Sequence, residues 1–212
     1  IDEDNDGNID IYGFPVPLDA VQVAPQTYYE MLYSAGVTTV DPKTGEYYVY
    51  METFGGGSGA RFNKDGLSCV QVHMTNTSNL PIESMEIEFP YMVEQYTLVP
   101  DSGGPGKFRG GLSMYKDIRV LGHDSQFTVK ADRQKTPPWG LFGGKPGLPG
   151  VITIYPGTPD EAVIDSKKSG TTLKANGVLR CQMPGAGGYG DPIERDRAMI
   201  VHDLEEGYIT CE

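Results

Sequence analysis

Several stretches of this chain have the residue types and spacing that nucleotide or acyl chemistry uses. Gly185-Ala186-Gly187-Gly188-Tyr189-Gly190 reads G-x-G-x-x-G between the strand-like run VLRCQM and a helix start, where glycines would let a backbone close on a pyrophosphate. A dinucleotide crevice also needs a second parallel strand, and only a few residues follow Gly207 here. Asp191-Pro192 moreover sets a carboxylate and a missing N–H where a phosphate wants donors. The residues favour a tight turn before a helix. Gly56-Gly57-Ser58-Gly59-Ala60 approaches a nucleophile elbow but ends in Ala and runs into the turn RFNKDG. Gly106-Lys107-Phe108 and Gly144-Lys145-Pro146 lack the hydroxyl and the upstream glycine of a phosphate loop.

Asp2, Asp4 and Asp6 start a calcium-loop pattern, D-x-D-x-D-G-x-I, in which alternate carboxylates converge on the ion. The twelfth position, where a bidentate Glu belongs, is Gly13, and Pro15 and Pro17 block the exit helix. Calcium is therefore weighed against a solvated acidic turn or hairpin tip. His73, His123 and His202 are too scattered to form a metal cluster by spacing. The odd cysteines Cys69, Cys181 and Cys211 share no C-x-x-C spacing, which argues against a disulfide framework or zinc knuckle and fits a reducing cytosol. A formal net charge of −12 excludes a phosphate-backbone footprint, so no nucleic acid is expected. No apolar run is long enough to span a bilayer, so no membrane is expected and a soluble, cytoplasmic chain is.

The elements that must position such groups are mostly strands. Residues 46–54, 68–76, 91–99, 112–121, 126–131 and 151–155 are rich in β-branched and aromatic types and bounded by Gly, Pro, Asn and Asp. With 28 Gly and 16 Pro among 212 residues, short elements joined by tight turns are expected rather than long helices. Residues 25–34 read as a short helix, with Pro25 in its first turn and Gly36 as its stop. Asp191-Pro192-Ile193-Glu194 reads as a helix start, followed by an apolar stripe of Ile193, Ile200, Val201 and Leu204 up to Gly207. The expectation is a mainly β (α+β) chain: an antiparallel-rich core with Gly/Pro-rich loops, a short N-terminal helix and a C-terminal helix. A single domain over 1–212 is expected, with residues 1–50 a divergent N-terminal segment.

The run PPWGLFGGKPGLPG, residues 137–150, places the only tryptophan, Trp139, among prolines and glycines. A solvated linker has no use for Trp139, Leu141 and Phe142, so an ordered loop that presents these side chains is expected. Glycine-rich connectors also carry Arg61, Lys107, Arg109, Arg133, Lys145 and Arg195, cations that could line a passage, dock a partner, or simply sit solvated in turns.

Taken together, GGGSGARFNKDGLSCVQVHMTNTSNLPIESMEIEFP, VPDSGGPGKFRGGLSMYKDIRVL, KADRQKTPPWGLFGGKPGLPG and MPGAGGYGDPIERD…DLEEGYIT resemble the carboxy-terminal part of the hydantoinase B family, in order from Gly55 to Thr210. That resemblance implies the non-ATPase component, or a split fragment of the B component, of an ATP-dependent cyclic-amide hydrolase. It also implies a hydantoinase A type ATPase partner, a chain supplying the N-terminal half of the B component, and ATP/Mg with a divalent metal on those partner chains. Ketone carboxylation of the acetone or acetophenone type is the alternative reaction, and a calcium-stabilised non-catalytic β module is the alternative of another class. On this reading Asp132, Arg133 and His73 are the expected catalytic residues. Arg61, Asn76, Arg109, Trp139, Phe142 and Lys145 are expected at the substrate passage or interface.

Overall fold

The computed structural model describes residues 8–11, 14–17, 34–40, 45–71 and 77–210. One four-stranded sheet has the order β10 (Lys167–Leu173), β7 (Ser125–Lys130), β3 (Ser34–Val40), β4 (Tyr47–Thr53). A five-stranded sheet has the order β5 (Tyr91–Leu98), β6 (Met114–Val120), β11 (Val178–Gln182), β8 (Val151–Ile154), β9 (Ala162–Ile164). A hairpin pairs β1 (Asn8–Ile11) with β2 (Phe14–Pro17). Every pairing between these strands is antiparallel among the described residues, and the mainly β expectation holds.

Alternation sets the layers. In β7, Ser125, Phe127 and Val129 are buried while Gln126, Thr128 and Lys130 are exposed, because successive side chains leave a strand on opposite faces. Phe127, Val129, Leu173 and Tyr50 from the first sheet meet Met114, Ile118, Val120, Ile152, Leu179 and Cys181 from the second in one apolar cluster. Helix α1 (Ile82–Glu88) buries Met85 in the same cluster and leads through Phe89 and Pro90 into β5.

Four expectations change or pass out of view. The 25–34 helix lies outside the described residues except for Ser34, which opens β3 and pairs with Thr53 and Lys130. Of the strand expected over 68–76, Ser68–Gln71 is irregular, since Val70 N–H reaches back to Gly56 O at 3.0 Å rather than to a strand partner, and 72–76 lies outside the described residues. Asp2, Asp4 and Asp6 also lie outside them. The C-terminal helix is split: Asp191 caps a 3-10 turn over Pro192–Glu194, the chain extends at Arg195, and Asp196 caps α2 (Arg197–Glu205). Its expected apolar stripe does not face the core, since Ile193 is 91% and Val201 52% exposed; the side chain that α2 buries is Asp203.

The glycine-rich connectors form a second, backbone-built core. Residues 183–190 run through its centre. Gly185 N–H donates to Leu148 O (2.9 Å), Ala186 N–H to Gly111 O (2.9 Å), Gly188 N–H to Lys145 O (3.0 Å), Tyr189 N–H to Phe108 O (2.9 Å) and Gly190 N–H to Leu141 O (3.0 Å). Their carbonyls are taken up in turn: Ala60 N–H donates to Gly187 O (3.1 Å), Gly104 N–H to Ala186 O (2.7 Å) and Leu141 N–H to Gly188 O (2.9 Å). Glycine is required where a neighbouring backbone occupies the place of a side chain. A Cβ on Gly185 would fall on Ser102 O, and one on Gly187 on Trp139 O. This arrangement replaces the tight turn expected at 185–190. The same hydrogen bonds leave the segment unsuited to a pyrophosphate, because the N–H donors such a loop must offer already serve carbonyls.

Candidate functional site

One end of the four-stranded sheet leads into Asp132 and Gln134, two of the residues with a buried polar atom that has no hydrogen-bond partner among the described residues. Ser34, Lys130, Thr53 and Lys167 lie at that end, in register across β3, β7, β4 and β10. From β7 the chain continues into Asp132, Arg133 and Gln134. At β4, Gln71 Nε2 (3.1 Å) and Asn79 Nδ2 (2.8 Å) both donate to Thr53 O, anchoring the described flanks of 72–76, the segment that carries His73 and Asn76. Since adjacent strands lie about 4.8 Å apart, β4 and β7, with β3 between them, are about 10 Å apart. His73 and Asn76 themselves lie outside the described residues.

The Asp132–Gln134 corner is held from its own backbone. Ala131 N–H donates to Ser166 O (2.6 Å) and Gly150 N–H to Arg133 O (3.1 Å). Arg133 has φ 60°, a left-handed conformation that costs a non-glycine residue about 1–2 kcal/mol. That backbone lays its guanidinium over the Trp139 ring, 4.7 Å from the centroid, within cation–π range. Asp132 Oδ1 is 3.5 Å from Lys167 Nζ, while Asp132 Oδ2 and Gln134 Nε2 are buried without a hydrogen-bond partner among the described residues. An acceptor and a donor left in this condition are uncommon in a folded chain, and they can serve a ligand or an incoming backbone. Residue typing does not single out Gln134; its position beside two selected residues is the only signal.

Beneath this end lies a buried ion pair that residue spacing does not reveal. Lys116 Nζ donates to Glu52 Oε2 at 2.8 Å, with side chains 1% and 4% exposed. Asn79 Nδ2 donates to Glu52 Oε1 at 2.6 Å. Burial and the Glu52 carboxylate push the Tyr50 hydroxyl well above its usual range. Burial, with Glu52 adding to it, lifts the Cys181 thiol to about 12, so Cys181 is a protonated core residue rather than a nucleophile.

The Pro137–Gly150 loop is ordered. Gly147 N–H donates to Pro138 O (3.0 Å), Gly144 N–H to Leu141 O (2.9 Å), Lys145 N–H to Pro105 O (2.7 Å) and Leu148 N–H to Ser102 O (2.9 Å). Phe142, with φ 51°, packs on Tyr189 at 5.1 Å. Trp139 nevertheless remains 46% and Phe142 62% exposed. Arg61 sits beside Ala60 on the central segment, its N–H on Lys64 O (2.9 Å), and the Lys145 side chain is exposed.

Arg109 is placed differently from the other cations. It is 6% exposed and donates to Asp203 through Nε (3.1 Å) and Nη2 (3.3 Å), while its backbone N–H donates to Asp65 Oδ1 (2.7 Å). Arg195 bridges the same acids, to Asp65 Oδ2 at 2.7 Å and Asp203 Oδ2 at 2.6 Å. Burial lowers the Arg195 pKa, but its bonds and charge contacts with Asp65 and Asp203 outweigh that, leaving a net rise. Arg109 thus clasps α2 to the glycine core. Among the described residues, no three His, Cys, Asp or Glu side chains converge as a metal site would require, and no helix is long and apolar enough to cross a membrane.

Comparison with known proteins gives these features a family. The Hydantoinase B/oxoprolinase family model matches residues 18–192, so the match reaches into the N-terminal segment that reads as divergent. A protein of Pseudomonas sp. strain NS671, named as the B-type component of a D-/L-hydantoinase, is 35% identical over 167 residues, covering 78% of this chain and 28% of its own length. The fold resembles that of the ATP-dependent caprolactamase from Pseudomonas jessenii, with TM-score 0.70, 21% identity and coverage of 90% of this chain and 35% of that one. It also resembles an acetone carboxylase in its nucleotide-free structure, with TM-score 0.65, 19% identity and coverage of 84% and 28%. The chain therefore spans about a third or less of the length of these relatives, and with a family model matched over most of its residues it belongs to the Hydantoinase B/oxoprolinase family.

Proposed function

We propose that this chain is the carboxy-terminal part of the non-ATPase component of an ATP-dependent cyclic-amide hydrolase of hydantoinase or oxoprolinase type, working in the cytoplasm. A hydantoinase A type ATPase and a polypeptide supplying the rest of the B-type fold complete the enzyme. ATP/Mg and the divalent metal belong to those partners, and this chain contributes a wall of the reaction space. In that wall Asp132 accepts from and Gln134 donates to the bound amide or an adjoining loop, and Arg133, backed by Trp139, faces developing negative charge. His73 and Asn76 serve the same reaction space. Arg61, Phe142 and Lys145 border the passage or the contact with the partner chains.

The observation that carries this reading is the Pro137–Gly150 loop. Its backbone is hydrogen-bonded to several other segments, yet Trp139 is 46% and Phe142 62% exposed, and Phe142 and the neighbouring Arg133 are in left-handed conformation. Strain of this kind persists where the surroundings impose it and is concentrated at functional sites.

The test is co-expression of this chain with an A-type ATPase and the remaining B-type polypeptide. ADP release and ring opening would be followed with 5-oxoproline, hydantoin and a simple lactam. Turnover is expected only from the assembled complex. Trp139→Ala should weaken assembly or turnover while leaving the isolated chain folded, since an exposed cation–π contact is worth about 0.5–1 kcal/mol. Turnover by the isolated chain, or unfolding of the Trp139→Ala chain, overturns the reading. Because the fold also occurs in an acetone carboxylase, acetone with bicarbonate belongs in the same assay, and stoichiometric bicarbonate uptake would select carboxylation instead.

A further inference from the structure

The two sheets differ on their outward faces. On the five-stranded sheet that face is polar: Arg180 is bidentate on Asp117 (2.8 and 2.7 Å) and stacks on Tyr115 at 4.4 Å, and Arg119 pairs with Glu94 at 2.6 Å. On the four-stranded sheet the outward side of β4 is apolar. Tyr47, Val49 and Met51 are 65%, 57% and 74% exposed, and Val40, in register with Tyr47, is 52% exposed. The same strand sends Tyr50 and Glu52 inward, so its Tyr47–Met51 run is apolar on both faces. Such a continuous run is the pattern of a strand covered on both sides, whereas a strand with one solvated face alternates. Among the described residues β4 is also the last strand of its sheet, with one edge unpaired in the sheet order.

The stripe continues into a groove of about 590 Å³, with Val40 and Tyr47 on one side and Gln126, Thr172 and the Asp124–Lys174 ion pair on the other. Asp124 is held below the usual carboxylate range, first by its hydrogen bond from Lys174 and then by Ala175 N–H, so the far wall stays charged and solvated while the near wall stays apolar. An apolar row ending in a polar rim is the layout of a protein contact.

Building on the preceding reading, we infer that the Val40–Tyr47–Val49–Met51 face is covered by an apolar element of the remaining B-type polypeptide, which packs across β3 and β4. The lengths of the relatives argue for that occupant: the hydantoinase component matches over only 28% of its length and the caprolactamase chain over 35%. Most of the polypeptide in which this fold occurs thus lies outside the present sequence, and it needs a contact surface here. The stripe runs along β4 and the aromatic loop follows β7, so the two contacts are tested by separate substitutions.

The experiment expresses this chain with an affinity tag, together with the remaining B-type polypeptide and the A-type ATPase as separate chains. Wild type is expected to capture the B-type polypeptide. Val49→Glu/Met51→Glu should lose at least about tenfold of that capture, as expected when the centre of a contact is charged, with the thermal midpoint of the isolated chain unchanged. Thr97→Glu, an exposed β5 position, should capture like wild type. Undiminished capture by the double variant, with active complex still formed, overturns this inference and leaves the proposed function standing. Failure of wild type to capture the B-type polypeptide overturns both. A homodimer of the chain alone that the double variant dissociates identifies a second copy as occupant and overturns the inference as well.

Discussion

At the scale of single residues, the chain separates charges that hold the fold from charges that are merely present. Asp203 accepts from both Arg109 and Arg195 with almost no solvent exposure. Removing it strands the Arg109 guanidinium in a poorly hydrated place and leaves Arg195 with Asp65 alone, and breaking one side of a buried ion cluster typically costs about 3–5 kcal/mol. Asp203→Ala is expected to lower the urea unfolding free energy by that amount. Lys107→Ala, which deletes the exposed pair with Glu194 at 3.1 Å, should change it by no more than about 0.5 kcal/mol. In the sequence Arg109 and Arg195 look like equivalent members of a cationic series, because spacing carries no information on which carboxylate folds back onto which arginine. The Asp203–Arg109 contact joins residues 94 positions apart. The Asp132–Arg133 pair is selectable only through the resemblance of KADRQKTPPWGLFGGKPGLPG to the family. Gln134 and the Glu52–Lys116 pair escape notice because a strand pattern marks Glu52 as buried only once the strand's inward face is known.

At the scale of elements, legibility in the sequence depends on how each element is stabilised. β4, β5, β6, β7, β8 and β11 carry β-branched and aromatic runs with clear boundaries, and the structure places strands within a residue or two of the expected ranges. β10 (KKSGTTL) has no such signal: it is mostly exposed, contains Gly170 at φ 68° and shifts register between Lys168 and Thr171. α1 is a seven-residue helix with no side-chain cap and one buried residue, Met85, so tertiary packing rather than local signal sustains it. The glycine connectors read as turns because composition cannot distinguish a solvated glycine from one pressed against another backbone. The distinction is measurable. Gly185→Ala puts a methyl group on Ser102 O and should cost several kcal/mol, at or beyond the upper range of about 4–5 kcal/mol for single substitutions. Gly157→Ala, which meets nothing within 4 Å and changes only a residue at φ 74°, should cost about 1–2 kcal/mol. Equal urea midpoints for the two variants would contradict the backbone-core description.

At the scale of the whole molecule, stability should respond to alkali. Burial raises the Cys181 thiol from 9.0 to about 12 and Tyr91 from 10.0 to about 12. Tyr50 is raised further by burial and Glu52. A group that holds its proton more tightly when folded contributes fully below its unfolded pKa, and the contribution is lost as pH climbs toward the folded value. Urea midpoints should therefore be level from pH 7 to about 8.5 and fall between about pH 9 and 12, each such group removing up to about 1.4 kcal/mol per pH unit in its window. Cys181→Ala should flatten the first part of the decline, and a wild-type profile level to pH 11 would refute the burial assignments. The interlocked glycine segments bear on how such a molecule can diverge. Connecting loops ordinarily absorb insertions and deletions, but here residues 183–190 set the pitch for carbonyls and amides from several other segments at once. One residue gained or lost in any of them would put every later partner out of step. Length variation is thus confined to places such as the β8–β9 hairpin, and the segments that look most like slack in the chain are those whose length is fixed.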